Sequence, residues 1–142
     1  MRSMWLLVLG ATALLVGDAV RSGQVRFAVA YAAFGLALAY WLSPWQGGRS
    51  AAHADVAARP ETDGVVIYWR PGCVFCMRLR GRLGSLAKRA TWVNIWQDRD
   101  GAAYVESVNN GNQVVPTVVI DGAAHTNPDP ELVRRRLADD PD

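Results

Sequence analysis

Thiols and imidazoles are scarce in this chain: 142 residues hold two cysteines and two histidines. Two cysteines are too few for a disulfide-framework protein. They stand at 73 and 76, and a bridge over so short a span closes almost no loop, so it adds little stability. Four protein ligands for zinc are also lacking. His53 stands in a polar stretch without ligand-type neighbours and reads as solvated, and His125 reads as an ordinary strand residue. No metal site is expected, although a cluster shared by two chains could use the cysteine pair. Net charge is small as well, at +2, which gives no basis for nucleic-acid binding. Acidic residues are missing locally: positions 65–97 hold six Lys or Arg and no Asp or Glu.

Two long stretches have almost no polar content. Residues 4–20 are apolar until Asp18, and residues 27–45 carry no charge. As helices each would be about 26–28 Å long, close to the thickness of a bilayer core. A short polar turn at 21–26 separates them. Trp5, Tyr40, Trp41 and Trp45 stand near the ends, where aromatic rings favour the membrane interface. Ala13/Gly17, Ala28/Ala32 and Ala33/Ala37 are small residues spaced by four, suited to close helix approach. The apolar run is followed at once by a second, not by a small-residue cleavage site, which argues against a removed signal. These features predict a transmembrane helical hairpin over residues 1–46. A hairpin puts both ends on one side. Arg2, Arg49 and Arg59 flank it there, against Arg21 and Arg26 in the turn, so the positive-inside rule places the C-terminal part in the cytoplasm.

Residues 47–63 are rich in Gly, Ala and polar residues without core periodicity, which predicts a flexible linker. A folded domain is expected over 64–142. Residues 65–69 (VVIYW) form a β-branched and aromatic run typical of a buried strand. Arg70-Pro71-Gly72 breaks it. Phe75, Leu79, Leu83 and Leu86 then recur at helical spacing, with Arg78, Arg82 and Arg89 on another face. A second strand is expected at 92–96, and a helix over 102–108 capped by Asp98 or Asp100, with Gly111 beyond its end. Residues 117–120 give a third strand, Asp121-Gly122 a two-residue hairpin turn, and residues 123–125 a fourth strand. Asn127-Pro128 opens a last helix through Leu132, Val133 and Leu137. The order is β-α-β-α-β-β-α.

In this order Cys73 follows a strand and starts a helix. Unpaired N–H groups and the helix dipole favour negative charge there, which lowers the pKa of a thiol. Arg70 and Arg78 are the nearest cations in sequence. Phe75 could shield the site or pack into the core, and Trp69 reads as core. Val115-Pro116 opens an apolar strand. Proline cannot donate to a sheet ladder, and a cis Val115–Pro116 bond would leave the Val115 backbone groups free for an extended substrate.

The stretch "YWRPGCVFC" is similar to the Y-x-R-x-x-C-P-[YF]-C segment of glutaredoxins, and "VVPTVVIDG" to their T-V-P-x-[VI]-[FV]-[IV]-x-G segment. Residues 64–138 thus resemble the glutaredoxin branch of the thioredoxin-like fold, a four-stranded mixed sheet with flanking helices. Within it, "WVNIWQD", "YVESVNNGNQVVPTVVI" and "TNP" look most like the actinobacterial mycoredoxins, which act on mixed disulfides of mycothiol. The resemblance implies Cys73 as nucleophile, Cys76 as resolving thiol and Val115-Pro116 as a substrate-backbone clamp. It places Thr126 and Asn127 near the far end of the small thiol. Arg70 and Phe75, next to the cysteines in sequence, are expected to contact the substrate as well. Two positions depart from the pattern: Val74 replaces the proline between the cysteines, and Val114 replaces a threonine.

The expected activity is therefore a membrane-anchored thiol–disulfide oxidoreductase. It would reduce protein mixed disulfides with mycothiol as co-substrate, and its soluble domain would be monomeric without a bound cofactor. Two other functions fit the same pair of cysteines. One is an extracytoplasmic protein that forms or isomerises disulfides. The other is a membrane-tethered redox sensor or cluster-binding module without catalysis.

Overall fold

A computed structural model describes residues 4–43, 45, 50–59 and 64–139. The chain divides into two compact units, residues 1–47 and 48–142.

The N-terminal unit is a helical hairpin of α1 (Met4–Arg21) and α2 (Val25–Trp41). Helix α1 has 18 residues with a mean hydropathy of 1.6, long and apolar enough to cross a membrane, while α2 is an apolar helix of 17 residues. The two helices meet where side chains are smallest. A Cβ at Gly35 would overlap the Thr12 side chain, and the Thr12 hydroxyl turns back to donate to the Val8 carbonyl at 2.7 Å. Ala19, Ala28 and Ala39 are buried in the same hairpin. The expected Ala13, Gly17, Ala33 and Ala37 face outward instead. The seam on α2 follows Ala28, Gly35 and Ala39, spaced by seven and four residues, which brings them onto one helical face. Trp45, expected inside the second helix, lies beyond its end, with its ring 5.8 Å from that of Trp5.

In the second unit a four-stranded mixed sheet runs in the order β2-β1-β3-β4. β1 (Val65–Trp69) is central because every position in it is apolar and can be covered on both faces. It pairs in parallel with β2 (Thr91–Asn94) and antiparallel with β3 (Thr117–Ile120), so that Ile67 faces Trp92 on one side and Val118 on the other. β3 returns through the Asp121-Gly122 turn into β4 (Ala123–Thr126). Both turn residues have positive φ, 48° and 83°, as a type I′ hairpin turn requires.

Strand alternation sorts the core into two layers. Val65, Ile67, Val118 and Ile120 pack with Leu79 and Leu83 of α4 (Val74–Leu83) and with Val133 and Leu137 of α6 (Pro130–Asp139). Val66, Tyr68 and Val93 pack on the opposite layer with Ile95 and with Val105 of α5 (Arg99–Val108).

Element boundaries shift where side chains capture the backbone. β2 stops at Asn94, whose Oδ1 accepts the Trp96 N–H at 3.0 Å, so Ile95 and Trp96 enter a turn. α4 ends at Gly84 and continues as a 3-10 turn over Gly84–Lys88. Asp98, one of two expected caps, accepts the Gly101 N–H at 2.8 Å and starts α5. α6 begins at Pro130, later than Asn127-Pro128, because Asp129 Oδ1 accepts the Glu131 N–H at 2.9 Å.

The expected linker needs a correction over residues 50–59. Ala51 N–H donates to the Trp92 carbonyl at 3.0 Å, and Asn94 N–H donates to Ser50 Oγ at 2.6 Å. These bonds cover the outer edge of β2, which would otherwise present unpaired backbone groups. A short helix α3 (His53–Ala57) follows. It buries Val56 in the α5-side layer. His53 is half-buried, not solvated: its N–H donates to Asp98 Oδ2 at 2.6 Å and its Nδ1 lies 2.8 Å from the Tyr68 hydroxyl. All these partners are more than ten residues away, so local composition could not announce them. The remainder of the expected linker, 47–49 and 60–63, lies outside the described residues.

Candidate active site

The site grows from the loop between β1 and α4. Arg70-Pro71-Gly72 turns the chain out of the sheet, with Gly72 at φ 73°. Cys73 then caps α4 with extended backbone, φ −82° and ψ 106°. Its Sγ accepts the Cys76 N–H at 3.1 Å. Cys73 and Cys76 are joined as a disulfide, with Cα atoms 5.3 Å apart. The two sulfurs have different surroundings. Cys76 is 2% exposed and sits one helical turn into the core, whereas Cys73 is 9% exposed and borders a groove.

Across that groove lies the segment leading into β3. The Val115 carbonyl oxygen is 3.5 Å from Cys73 Sγ. The Val115–Pro116 bond is cis. Among the described residues no group accepts a hydrogen bond from the Val115 N–H. The Pro116 carbonyl accepts the Asn127 N–H at 2.8 Å, which brings the β4–α6 loop to the same place. Three loops thus converge on Cys73, and the groove between them has a volume of about 520 Å³.

Arg70, Phe75, Val115 and Asn127, all expected from the sequence, line this groove with Cys73. Pro116 lines an adjoining cleft of about 210 Å³ that shares Phe75 and Asn127 with it. Phe75 is 54% exposed, so it is a groove wall and not core. Thr126 is placed elsewhere: its hydroxyl is tied to Asn109 Oδ1, and it lines neither cleft. Gly72, Val74, Gln113 and Val114 also line the main groove. Val74 and Val114 were noticed only as departures from a motif, and Gln113 carried no sequence signal of its own.

Asn109 is a further residue that sequence reading missed. It is buried at the end of α5. Its Nδ2 donates to the Val105 carbonyl at 2.8 Å and to Thr117 Oγ1 at 3.0 Å. Thr117 Oγ1 in turn donates to the Val114 carbonyl at 2.8 Å. One amide therefore links α5, β3, β4 and the loop that faces Cys73.

Among the described residues the groove lining has no acidic side chain and one cation, Arg70. Negative charge on Cys73 is favoured by the start of α4 as well. Trp69 is half-buried and stands edge-on to Trp92, with ring centroids 6.5 Å apart. The Arg80 guanidinium lies 4.2 Å from the Trp92 ring and 5.3 Å from the Trp69 ring; burial pulls its pKa below the ordinary value. Deeper in the core, burial pushes the Tyr68 phenol well above its ordinary range, with Tyr104 and Asp98 adding to the effect. Among the described residues no three His, Cys, Asp or Glu side chains stand together as metal ligands.

Comparison with known proteins bears on the same half of the chain. A model of the glutaredoxin family matches residues 65–125, which leaves the helical hairpin outside the match. A Mycobacterium tuberculosis (strain H37Rv) protein named as a glutaredoxin is 38% identical over 77 residues, 54% of this chain and 92% of the relative. Mycoredoxin 1 of Corynebacterium glutamicum is 37% identical over 65 residues, 45% of this chain and 80% of the relative.

Proposed function

The chain belongs to the glutaredoxin family and is a thiol–disulfide oxidoreductase, and from that premise we propose that it reduces mixed disulfides between proteins and a low-molecular-weight thiol, with Cys73 as the nucleophile. The observation that carries this reading is the Cys76 N–H aimed at Cys73 Sγ across 3.1 Å at the open start of α4. That contact and the helix dipole stabilise a thiolate on Cys73 in the reduced protein.

The reaction then proceeds by exchange. The Cys73 thiolate attacks the small thiol's sulfur in the mixed disulfide. The protein's sulfur leaves as a thiolate and takes a proton from water, and Cys73 is left bonded to the small thiol. A second molecule of that thiol, as thiolate, attacks this bond, giving its symmetrical disulfide and free Cys73. Alternatively Cys76 attacks Cys73, releasing the small thiol and closing the Cys73–Cys76 bridge. The Val115 N–H, which has no partner among the described residues, and the Val115 carbonyl suit pairing with an extended backbone beside the sulfur. Arg70, Phe75 and Asn127 would contact the remainder of the substrate. Likeness to Mycoredoxin 1 favours mycothiol as the small thiol.

The helical hairpin serves in this reading as a membrane anchor. Leu7, Leu14 and Phe34 are more than 70% exposed, an arrangement that lipid would cover. The arginine distribution then puts the catalytic unit in the cytoplasm. Turnover of a mycothiolated peptide with mycothiol and its reductase tests the chemistry, since a protein that reduces only other mixed disulfides would refute the choice of thiol. Labelling of Cys73 in intact cells by a membrane-impermeant thiol reagent would refute the orientation.

A further inference from the structure

The proposed reaction leaves one charged surface unused. Arg78 and Arg82 stand four residues apart on α4 and so share a face. Both are exposed. Among the described residues neither has a carboxylate partner, and the contact found for Arg78 is the Phe75 ring at 6.0 Å. With Arg134 of α6 they form the basic side of a groove of about 540 Å³, whose other lining residues are Asp129, Pro130 and Glu131. Both carboxylates there are engaged. Glu131 pairs with Arg134 at 3.0 Å, and Asp129 caps α6. Three arginines against two carboxylates leave the groove net positive, and with Glu131 offset by Arg134 that positive charge stands on α4, at Arg78 and Arg82, opposite Asp129.

This groove connects to Cys73. Phe75 lines both the Cys73 groove and the cleft beside Pro116, and Arg78 lines both that cleft and the basic groove. A continuous track runs from Cys73 past Phe75 to Arg78 and Arg82. At the helical rise per residue, Arg78 lies about 7.5 Å and Arg82 about 13.5 Å along α4 from Cys73. An extended peptide advances about 3.3 Å per residue. Carboxylates about two to four residues from a cysteine held at Cys73 would therefore meet the two arginines.

We propose that this track docks an acidic segment of the client protein, one with Asp or Glu about two to four residues from the cysteine in the mixed disulfide. The proposal rests on the reading of Cys73 as a nucleophile toward protein mixed disulfides. Arginine suits the role because its planar fork can grip a carboxylate with two hydrogen bonds. A trough walled by α4 and α6 fits a single chain better than a flat layer of lipid headgroups. The small thiol itself occupies the Cys73 groove, so its exchange does not need Arg78 or Arg82.

The test uses the full chain in neutral phosphatidylcholine nanodiscs and three mixed disulfides of one small thiol. One carries an acidic peptide, one its Asn/Gln counterpart, and one free cysteine. The wild type should favour the acidic over the neutral peptide in kcat/KM by about three- to tenfold at low ionic strength, and salt should erase the preference. The double substitution Arg78→Ala/Arg82→Ala should abolish the preference and leave turnover of the cysteine mixed disulfide unchanged. Arg78→Glu/Arg82→Glu should reverse it in favour of the Asn/Gln peptide. Equal rates for acidic and neutral peptides in the wild type would overturn the proposal, as would a preference that survives the double substitution. Phosphatidylglycerol discs separate out a lipid role. Should the substitutions matter only there, and equally for all three substrates, the arginines serve the membrane and the proposal fails. Absence of turnover with every substrate would instead overturn the reductase reading, and this proposal with it.

Discussion

Cys76 donates its backbone N–H to the sulfur of Cys73 from one helical turn further into α4. The relationship is one-sided, since Cys76 is 2% exposed within the core while Cys73 borders the groove. The two thiols are therefore unequal by position before any substrate is present.

This inequality predicts the outcome of single substitutions. Cys73→Ser should abolish reductase activity. Cys76→Ser should keep a substantial fraction on small-thiol mixed disulfides, because a free thiol can resolve the intermediate, and should lose most activity on intramolecular protein disulfides. Steady-state turnover of both variants on both substrate types is the measurement. Equal loss in the two variants would establish an obligatory two-thiol route.

Asn109 predicts a stability effect at a distance from the sulfurs. Asn109→Ala removes the buried partner of Thr117, Thr126 and the Val105 carbonyl. Leaving buried polar groups unpaired costs about 2–3 kcal/mol, which for a unit of this size corresponds to a Tm about 10 °C lower. Thermal unfolding followed by tryptophan fluorescence reports it. A shift within error would mean that the network is dispensable.

The folded state of residues 50–59 predicts that they stabilise the catalytic unit. Val56→Ala removes two buried carbon groups and should cost about 1.5 kcal/mol. His53→Ala leaves the buried Tyr68 hydroxyl without its partner and should cost about 1–3 kcal/mol. Chemical denaturation of each full-length variant checks both. Wild-type midpoints would show that the segment is a tether after all.

Tyr68 predicts an alkaline limit. Burial first, then the Tyr104 and Asp98 charges, raise its pKa above the ordinary 10.0. The folded state thus holds the phenol proton more tightly than the unfolded state. Its contribution to stability is complete below about pH 10 and is lost as pH rises from there toward the folded value. Denaturant midpoints between pH 8 and 11.5 should fall on the alkaline side, and Tyr68→Phe should flatten that fall. An unchanged slope in Tyr68→Phe would assign it to another group.

Much of the site was legible because its signals are local. A break after an apolar strand, a cysteine at a helix start and a proline opening another strand are each decided within a few residues. The Asp121-Gly122 turn belongs to the same class, since two positive φ values can be read from two residue types. The boundaries of β2 and α6 were less legible, because Asn94 and Asp129 end or start an element by where a side chain happens to reach.

The sequence by itself determined the strand and helix order from β1 onward, the apolar hairpin and the pairing of two thiols in one loop, since periodicity and turn chemistry act over short spans. The tertiary structure decided which groups meet. It joined His53 to Tyr68 and Asp98 and made part of an expected tether into the edge of the sheet. It turned Thr126 to Asn109 and away from the groove, and it laid the arginines of α4 along a track that begins at Cys73. These contacts depend on loop closure between residues far apart in the chain. No local pattern of residue types encodes which distant partner a polar side chain will find.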